Sequence, residues 1–393
     1  MIDVSSFGAT GNGQTDDTAA LQAAINTAGR IPARAVTTKF VLPDANFQNV
    51  WNRMAIFESR DLVRDRFHIR HRRELGSQKA EEIASHLAQG RAFFNSAQDA
   101  QESVRPLLQY YGVLSLARGL ILYLSTTLRE AGLSNAHGLS AISWGQTLAD
   151  GTHNVGELGI RLDSGTFSQL LDATQNREST SIFVPPIPSR ALWRKAEASP
   201  DQGTVISALD LLSRIPDLVN EFENTLSIPS CCSKAFVFTL SEDTQTDISI
   251  FPGLLGLPDL DSVRMQFGIP PTCEMHLVNR HNFVGDIQNC FVRFIHKDAN
   301  EMTALMPMLA NDSRGETFII APFKGGLQLS SLVKLFTLSY FLGMLARYFP
   351  TRWIAMSNRQ TGDRLFPLLR AGSDLVHQQF PIAVLRELES TVQ

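Results

Sequence analysis

The sequence predicts an α+β fold that is mainly α, with a helical core drawn from both ends of the chain, a smaller β-rich middle and no β-helix. Three observations predict it. Long apolar stretches stand near both ends, "PLLQYYGVLSLARGLILYLSTTL" (106–128) and "LQLSSLVKLFTLSYFLGMLARYF" (327–349). Short alternating stretches gather between them, such as "AFVFTLSEDTQTDISIF" (235–251). No strand-length coil recurs at a fixed spacing, which a solenoid requires.

Taken in order, "FGATGNGQTDDTAALQAAIN" (7–26) opens the chain with glycines for tight turns and Asp16, Asp17 and Thr18 to cap a short helix that stops at Gly29. Residues 48–75 are rich in aromatic and basic side chains. The span 76–100 has the period of an amphipathic helix, with Ile83, Leu87 and Phe94 in its apolar stripe and Ser77 as its expected N-cap. Pro106 suits the first turn of the next helix, which runs to about Leu128. A turn-rich junction with His137 is expected over 133–146, then short strands and a helix over 151–174 and an extended loop at "IFVPPIPS" (182–189). A helix over 204–225 is expected to break near Pro216. Residues 235–251 should form a hairpin, and "EMHLV" (274–278), "CFVRFIH" (290–296) and "TFIIAPF" (317–323) further strands. After Gly325-Gly326 the pattern returns to helix through Phe349 and again over about 362–389. The expected division is an appended 1–47, a helical 48–150, a mixed 151–325, and a helical 326–393 packing on 48–150.

Bulk numbers limit the function. Of 393 residues, 44% are hydrophobic and 19% charged, and the formal charge is −4. Overall electrostatic attraction to nucleic acid or an anionic membrane is excluded, so any such site must be a local patch. Four cysteines, two of them adjacent at Cys231-Cys232, give no zinc-site spacing and fit a reducing cytoplasm. The N-terminus lacks the apolar run of a signal peptide. Arg118 and Lys334 interrupt the apolar stretches, which therefore read as buried core helices rather than membrane spans. No metal or cofactor is expected. No HExxH, GxSxG, GxGxxG or P-loop order occurs, and "KGGLQLSS" (324–331) lacks the P-loop Lys position.

Two resemblances follow from the quoted residues. Residues 1–30, through the 7–26 stretch, resemble the N-terminal cap of pectate-lyase-like β-helix proteins; the coils that carry that family's chemistry are absent, so a polysaccharide-active β-helix is disfavoured. Further on, "VRPLLQYYGVLSLARGLILY", "NAHGLS", "LLSRIPDL", "LSYFLGMLARYFPTRWIAM" and "FPIAVLREL" occur in one order. Together they resemble the YaaC-like proteins of bacteria over about residues 50–389. That resemblance implies a bacterial cytoplasmic protein of helical architecture, without an assigned activity.

The densest chemistry lies in "RDLVRDRFHIRHRRE" (60–74). Arg60, Arg64, Arg70, Arg72, Arg73 and His68 are candidates for gripping phosphates or nucleic acid, with Phe67 as a stacking face. Arg66 and His71 fit the R-x4-H spacing of HEPN-type ribonucleases, in which a His moves protons and an Arg stabilises developing phosphate charge, without metal. Arg118, His137, Arg347 and Trp353 are candidates for a ligand or partner contact. Arg118 stands inside an apolar helix, His137 at a Gly turn, and Arg347 with Trp353 at an aromatic–arginine corner. The leading expectation is a binding or interaction protein, in a defence or stress-response module by family-level analogy, engaging a protein partner or a second copy. RNA or a nucleotide is the alternative ligand, with the ribonuclease as alternative activity.

Overall fold

The computed structural model describes residues 47–149, 154–184, 189–239, 245–251, 259–277, 290–296, 308–360 and 363–390. The 1–30 stretch and its β-helix-cap resemblance lie outside these residues.

In chain order the first elements are α1 (Phe47–Glu58), α2 (Arg60–His71), α3 (Ser77–Gln98), α4 (Arg105–Leu124), β1 (His137–Ile142), β2 (Gly159–Gly165) and α5 (Thr166–Thr174). A strand pair, β3 (Arg177–Val184) and β4 (Ser189–Ala196), follows. Next come β5 (Val205–Ser207), α6 (Ala208–Leu212), α7 (Val219–Leu226), β6 (Cys232–Thr239), β7 (Gln245–Ile250), α8 (Leu260–Gln266), β8 (Glu274–Leu277) and β9 (Cys290–Ile295). Then β10 (Met308–Asn311), β11 (Thr317–Ile320), α9 (Ser331–Tyr348), α10 (Pro350–Ser357) and α11 (Phe366–Glu389) complete the described chain. The fold is α+β and mainly α, as the sequence predicts, with small sheets and no solenoid among the described residues.

Two compact units emerge from the contacts. A helical unit takes its described residues from 43–178, 196–232 and 322–393, and a sheet unit from 179–195 and 233–321. The sheet unit holds a six-stranded sheet in the order β10-β11-β6-β7-β9-β8, alongside the β3–β4 pair. β6 and β7 form the expected antiparallel hairpin, pairing Ala235 with Ile250 through Thr239 with Thr246. Within it Asp247, 1% exposed, is held by Arg293 through two hydrogen bonds of 2.7 and 2.8 Å. That is the bidentate geometry a buried carboxylate needs.

The helical unit is organised around α4. Its buried residues run around its whole circumference, so it needs neighbours on every side. α3, α5, α9 and α11 supply them, and α1 and α2 cover α3. Ile83, Leu87 and Phe94 of α3 are fully buried. α9 is buried along nearly its whole length. Close approach is set by small residues. A Cβ on Gly343 of α9 would lie 2.8 Å from the Tyr110 Cβ of α4, and one on Gly112 of α4 would lie 2.7 Å from the Phe94 ring. Some polar side chains inside this core pair with one another: Gln109 of α4 and Ser373 of α11 exchange hydrogen bonds of 3.1 and 2.7 Å. Lys334 is 1% exposed and donates to the Arg214 carbonyl at 2.8 Å, with burial holding its ammonium below the usual range. α4 is long and apolar enough to cross a membrane by length and composition, as is the bent α9–α10 pair if taken as one span. Both helices have neighbours packed on them here, and two-thirds of the α4 window is buried.

Several local expectations are corrected. The 48–75 stretch, expected as part of the helical 48–150 region, is helical and divides into two helices, because Ser59 leaves the helical region (φ −91°, ψ 124°) and its hydroxyl accepts from the Leu62 N–H. Gly76, not Ser77, occupies the N-cap of α3, and Ser77 is already helical. The 133–146 junction contains a strand, β1, paired antiparallel with β2. The 204–225 segment begins as strand β5 and breaks at Pro216 as expected, continuing as α7. α4 stops at Leu124, short of Leu128.

Because Gly343 meets the rigid stem of Tyr110, Gly343→Ala should destabilise the protein by about 1–3 kcal/mol. Gly145→Ala, where nothing lies within 4 Å of the added carbon, should change stability by less than about 0.5 kcal/mol. Paired urea denaturation curves check both.

Candidate functional site

The structure separates the residues of the arginine–histidine run by the face of α2 they occupy. Val63 and Phe67 are buried and define the inner face. Arg70 turns inward and donates to the Glu387 carbonyl (3.0 Å), the Ser390 hydroxyl (3.2 Å) and the Ser390 carbonyl at the end of α11. His71 stacks its ring on Phe67 at 4.2 Å, and its Nε2 lies 2.9 Å from the Tyr123 carbonyl of α4. A carbonyl only accepts, so Nε2 carries the proton there. Burial, outweighing that hydrogen bond, holds the imidazole below its usual range.

The remaining members face outward. Arg64, Arg66, Arg72 and Arg73 are exposed and have no partner among the described residues. Arg60 makes only a 3.9 Å contact with Glu81, and His68 lies 3.2 Å from Glu74. Arg66 and His71, five residues apart, point about 140° apart around the helix. The run is therefore not one site but an inner pair tied to the fold and an outer charged face.

Three of the other four candidates meet around α4, β1 and α9. The His137 ring lies 5.4 Å from the Tyr110 ring and 6.1 Å from the Tyr340 ring, and these two tyrosines are 5.7 Å apart. Arg118 reaches the Ser134 carbonyl at 2.6 Å with one terminal nitrogen. Arg347 bonds the Tyr111 hydroxyl at 3.2 Å and lies 5.0 Å from the Tyr348 ring centre, at the exposed end of α9. Burial first, then the Arg347 and Arg118 guanidiniums, hold His137 below the usual imidazole range. Burial pushes the Tyr110 phenol up, and lifts Tyr340 to about 12.

Within this cluster three buried polar atoms lack a hydrogen-bond partner among the described residues: the Tyr110 hydroxyl, the Arg118 Nε and the His137 Nδ1. Tyr110 is 0% exposed. Such groups cost free energy unless something pairs with them. Trp353 stands apart from the cluster. It is fully buried, stacks on Phe366, and donates its indole N–H to the Glu102 carbonyl at 2.8 Å.

A family model described as YaaC-like Protein matches residues 55–388. The chain belongs to the YaaC-like family. Comparison with curated proteins and with solved structures gives no match. The YaaC-like span contains both the α2 run and the His137 cluster, and its description names no activity, so the chemistry has to come from the geometry. Among the described residues no group of three or more His, Cys, Asp or Glu could hold a metal ion.

Sequence reasoning missed Tyr110 and Tyr340. The available signal was the pair Tyr110-Tyr111 inside an apolar helix, where a phenol tip must find a polar partner.

Buried histidines give the protein an acid limb. His377 of α11 packs 5.5 Å from the Phe94 ring, and burial, then Arg105, push it down to about 4 from 6.5. A folded-state value below the unfolded one means that the unfolded chain binds more protons in between. The His377 contribution is complete above 6.5 and is lost as pH falls from there towards about 4. Stability should drop by about 2 kcal/mol between pH 7.5 and pH 5 from this residue alone. Urea titrations at the two pH values should show a smaller drop in His377→Gln.

Proposed function

We propose that this YaaC-like chain works by binding rather than by turnover, and that the cluster of Tyr110, His137 and Arg118 receives the oxyanion of a small molecule. The observation that carries this is the fully buried Tyr110 hydroxyl, which has no hydrogen-bond partner among the described residues. The Arg118 Nε and the His137 Nδ1, which serves as a donor in the matching tautomer, are also unpaired among the described residues, and both Arg118 and Tyr110 act electrostatically or by ring contact on the same cluster. The two charges that act on His137 are both guanidiniums, so the cluster favours a negative occupant. A phosphate or carboxylate offers several acceptor oxygens and meets phenol and guanidinium donors with charge-assisted hydrogen bonds. Arg347, exposed at the end of α9, adds a positive charge on the solvent side.

The ribonuclease reading draws less support. His71 is committed to Tyr123 and Phe67, while Arg66 stands on a different face of α2.

Isothermal titration with inorganic phosphate and with acetate tests the binding reading. Saturable binding of at least one is expected, with about tenfold or greater weakening in Tyr110→Phe, a change that removes only the hydroxyl. Folding is checked by circular dichroism. Absence of saturable heat with either anion, or unchanged affinity in Tyr110→Phe, would overturn the proposal. RNA incubated with the protein in EDTA should stay intact; cleavage that disappears in folded His71→Ala would establish the ribonuclease instead.

A further inference from the structure

We infer that the outer face of α2 is an interface between two copies of this chain, the two α2 helices lying antiparallel across a two-fold axis. The inference is independent of the oxyanion site. It rests on the order of charges along one stripe of the helix. Asp61, Asp65 and His68 follow at spacings of four and three, which places them along one outward line of α2, and Arg72, the left-handed C-cap four residues on, ends the stripe beyond the last helical turn. Asp61, Asp65 and Arg72 have no partner among the described residues, and His68 contacts only Glu74 through Nδ1. Asp61, Arg64, Asp65, His68, Ile69 and Glu74 line a surface hollow of about 480 Å³.

The stripe is antisymmetric about its midpoint, between Arg66 and Phe67. Acidic residues occupy one half, and His68 and Arg72 occupy the mirrored positions of the other. A two-fold axis through that midpoint sets Asp61 of one copy opposite Arg72 of the other, and Asp65 opposite His68, each pair occurring twice. Such self-complementarity is what an isologous contact requires. Leu62 and Ile69, 47% and 50% exposed, share one flank of the stripe. The same operation sets Leu62 of one copy within about one turn of Ile69 of the other, burying both. An RNA laid along the stripe would instead bring phosphates against Asp61 and Asp65 over one of its halves, on a chain of net charge −4. The stripe therefore fits a second copy better than a nucleic acid.

Sedimentation equilibrium at roughly 100 µM chain reads the association. The wild type is expected to dimerise. Asp61→Arg and Arg72→Asp, each striking two symmetry-related pairs, should each weaken the dimer by about tenfold or more. The combined Asp61→Arg/Arg72→Asp chain should regain wild-type affinity within about threefold. All these positions are exposed, and Asp tolerates the left-handed backbone at Arg72 (φ 55°). A monomeric wild type overturns the inference. So does a dimer indifferent to the single changes, or a double variant that stays monomeric. RNA binding by a monomeric wild type would assign the face to nucleic acid.

Discussion

The helical unit depends on the packing of α4 against α9, two helices more than 200 residues apart in sequence that are apolar nearly all round. Neither can satisfy its surface with a single neighbour. Each must be enclosed, and the enclosure is what α3, α5 and α11 provide. The approach is close because Gly343 lies against the stem of Tyr110, and on the other side Gly112 lies against Phe94. With those contacts fixed, the rotation of α4 is fixed, and with it the directions in which Tyr110, Arg118 and Tyr123 leave the helix. Tyr110 and Arg118 then fall towards β1 and α9, while the Tyr123 carbonyl falls towards α2.

A core assembled from such helices has one weak point, the polar atoms its sequence carries inward. Most are answered locally: Lys334 by a carbonyl, Gln109 by Ser373, the Trp353 indole by Glu102. The contrast with Tyr110, Arg118 and His137 is informative because they lie together rather than scattered. An isolated unanswered donor is an ordinary cost of packing. Neighbouring ones, in a field set by two guanidiniums, define a chemistry. Phenylalanine would fill the Tyr110 position with the same ring and no orphaned hydroxyl. That the chain carries tyrosine there is the argument for a role beyond packing.

Much of the architecture was legible in the sequence, and the reasons are physical. Long apolar runs identified α4 and α9 because a helix buried all round has no amphipathic pattern to hide. The alternating segments identified β6, β7, β8, β9 and β11. What failed were local punctuation marks. Ser77 has a capping side chain, yet Gly76 takes the cap and Ser77 is already helical, a one-residue shift that a propensity-based reading of helix ends does not resolve. "NAHGLS" has turn composition, yet it forms most of β1 because β2 supplies a ladder that composition does not reveal. For the candidate cluster, polarity inside an apolar stretch is what draws attention to Arg118 in the sequence, and the Gly turn does so for His137. The tyrosines stayed unread because they count as hydrophobic in any pattern, while a buried hydroxyl tip such as that of Tyr110 is polar.

The arginine–histidine run shows why composition alone misjudges a charged helix. Read as a string, residues 60–74 offer six guanidiniums and two imidazoles for one anionic partner. Folded, the helix distributes them by angle. Arg70 and His71 answer main-chain carbonyls at the ends of α11 and α4, and at the α11 end the Arg70 cation also favours the helix dipole. They anchor α2 to the core and are unavailable for a partner. Among the groups left outside, one stripe has carboxylates preceding basic groups, an order invisible to a count of charges. An anionic polymer selects for positive charge regardless of order. A second copy of the same helix selects for order itself, because each charge must meet its opposite after a half-turn. The arrangement of Asp61, Asp65, His68 and Arg72 satisfies the second requirement and gains nothing from the first.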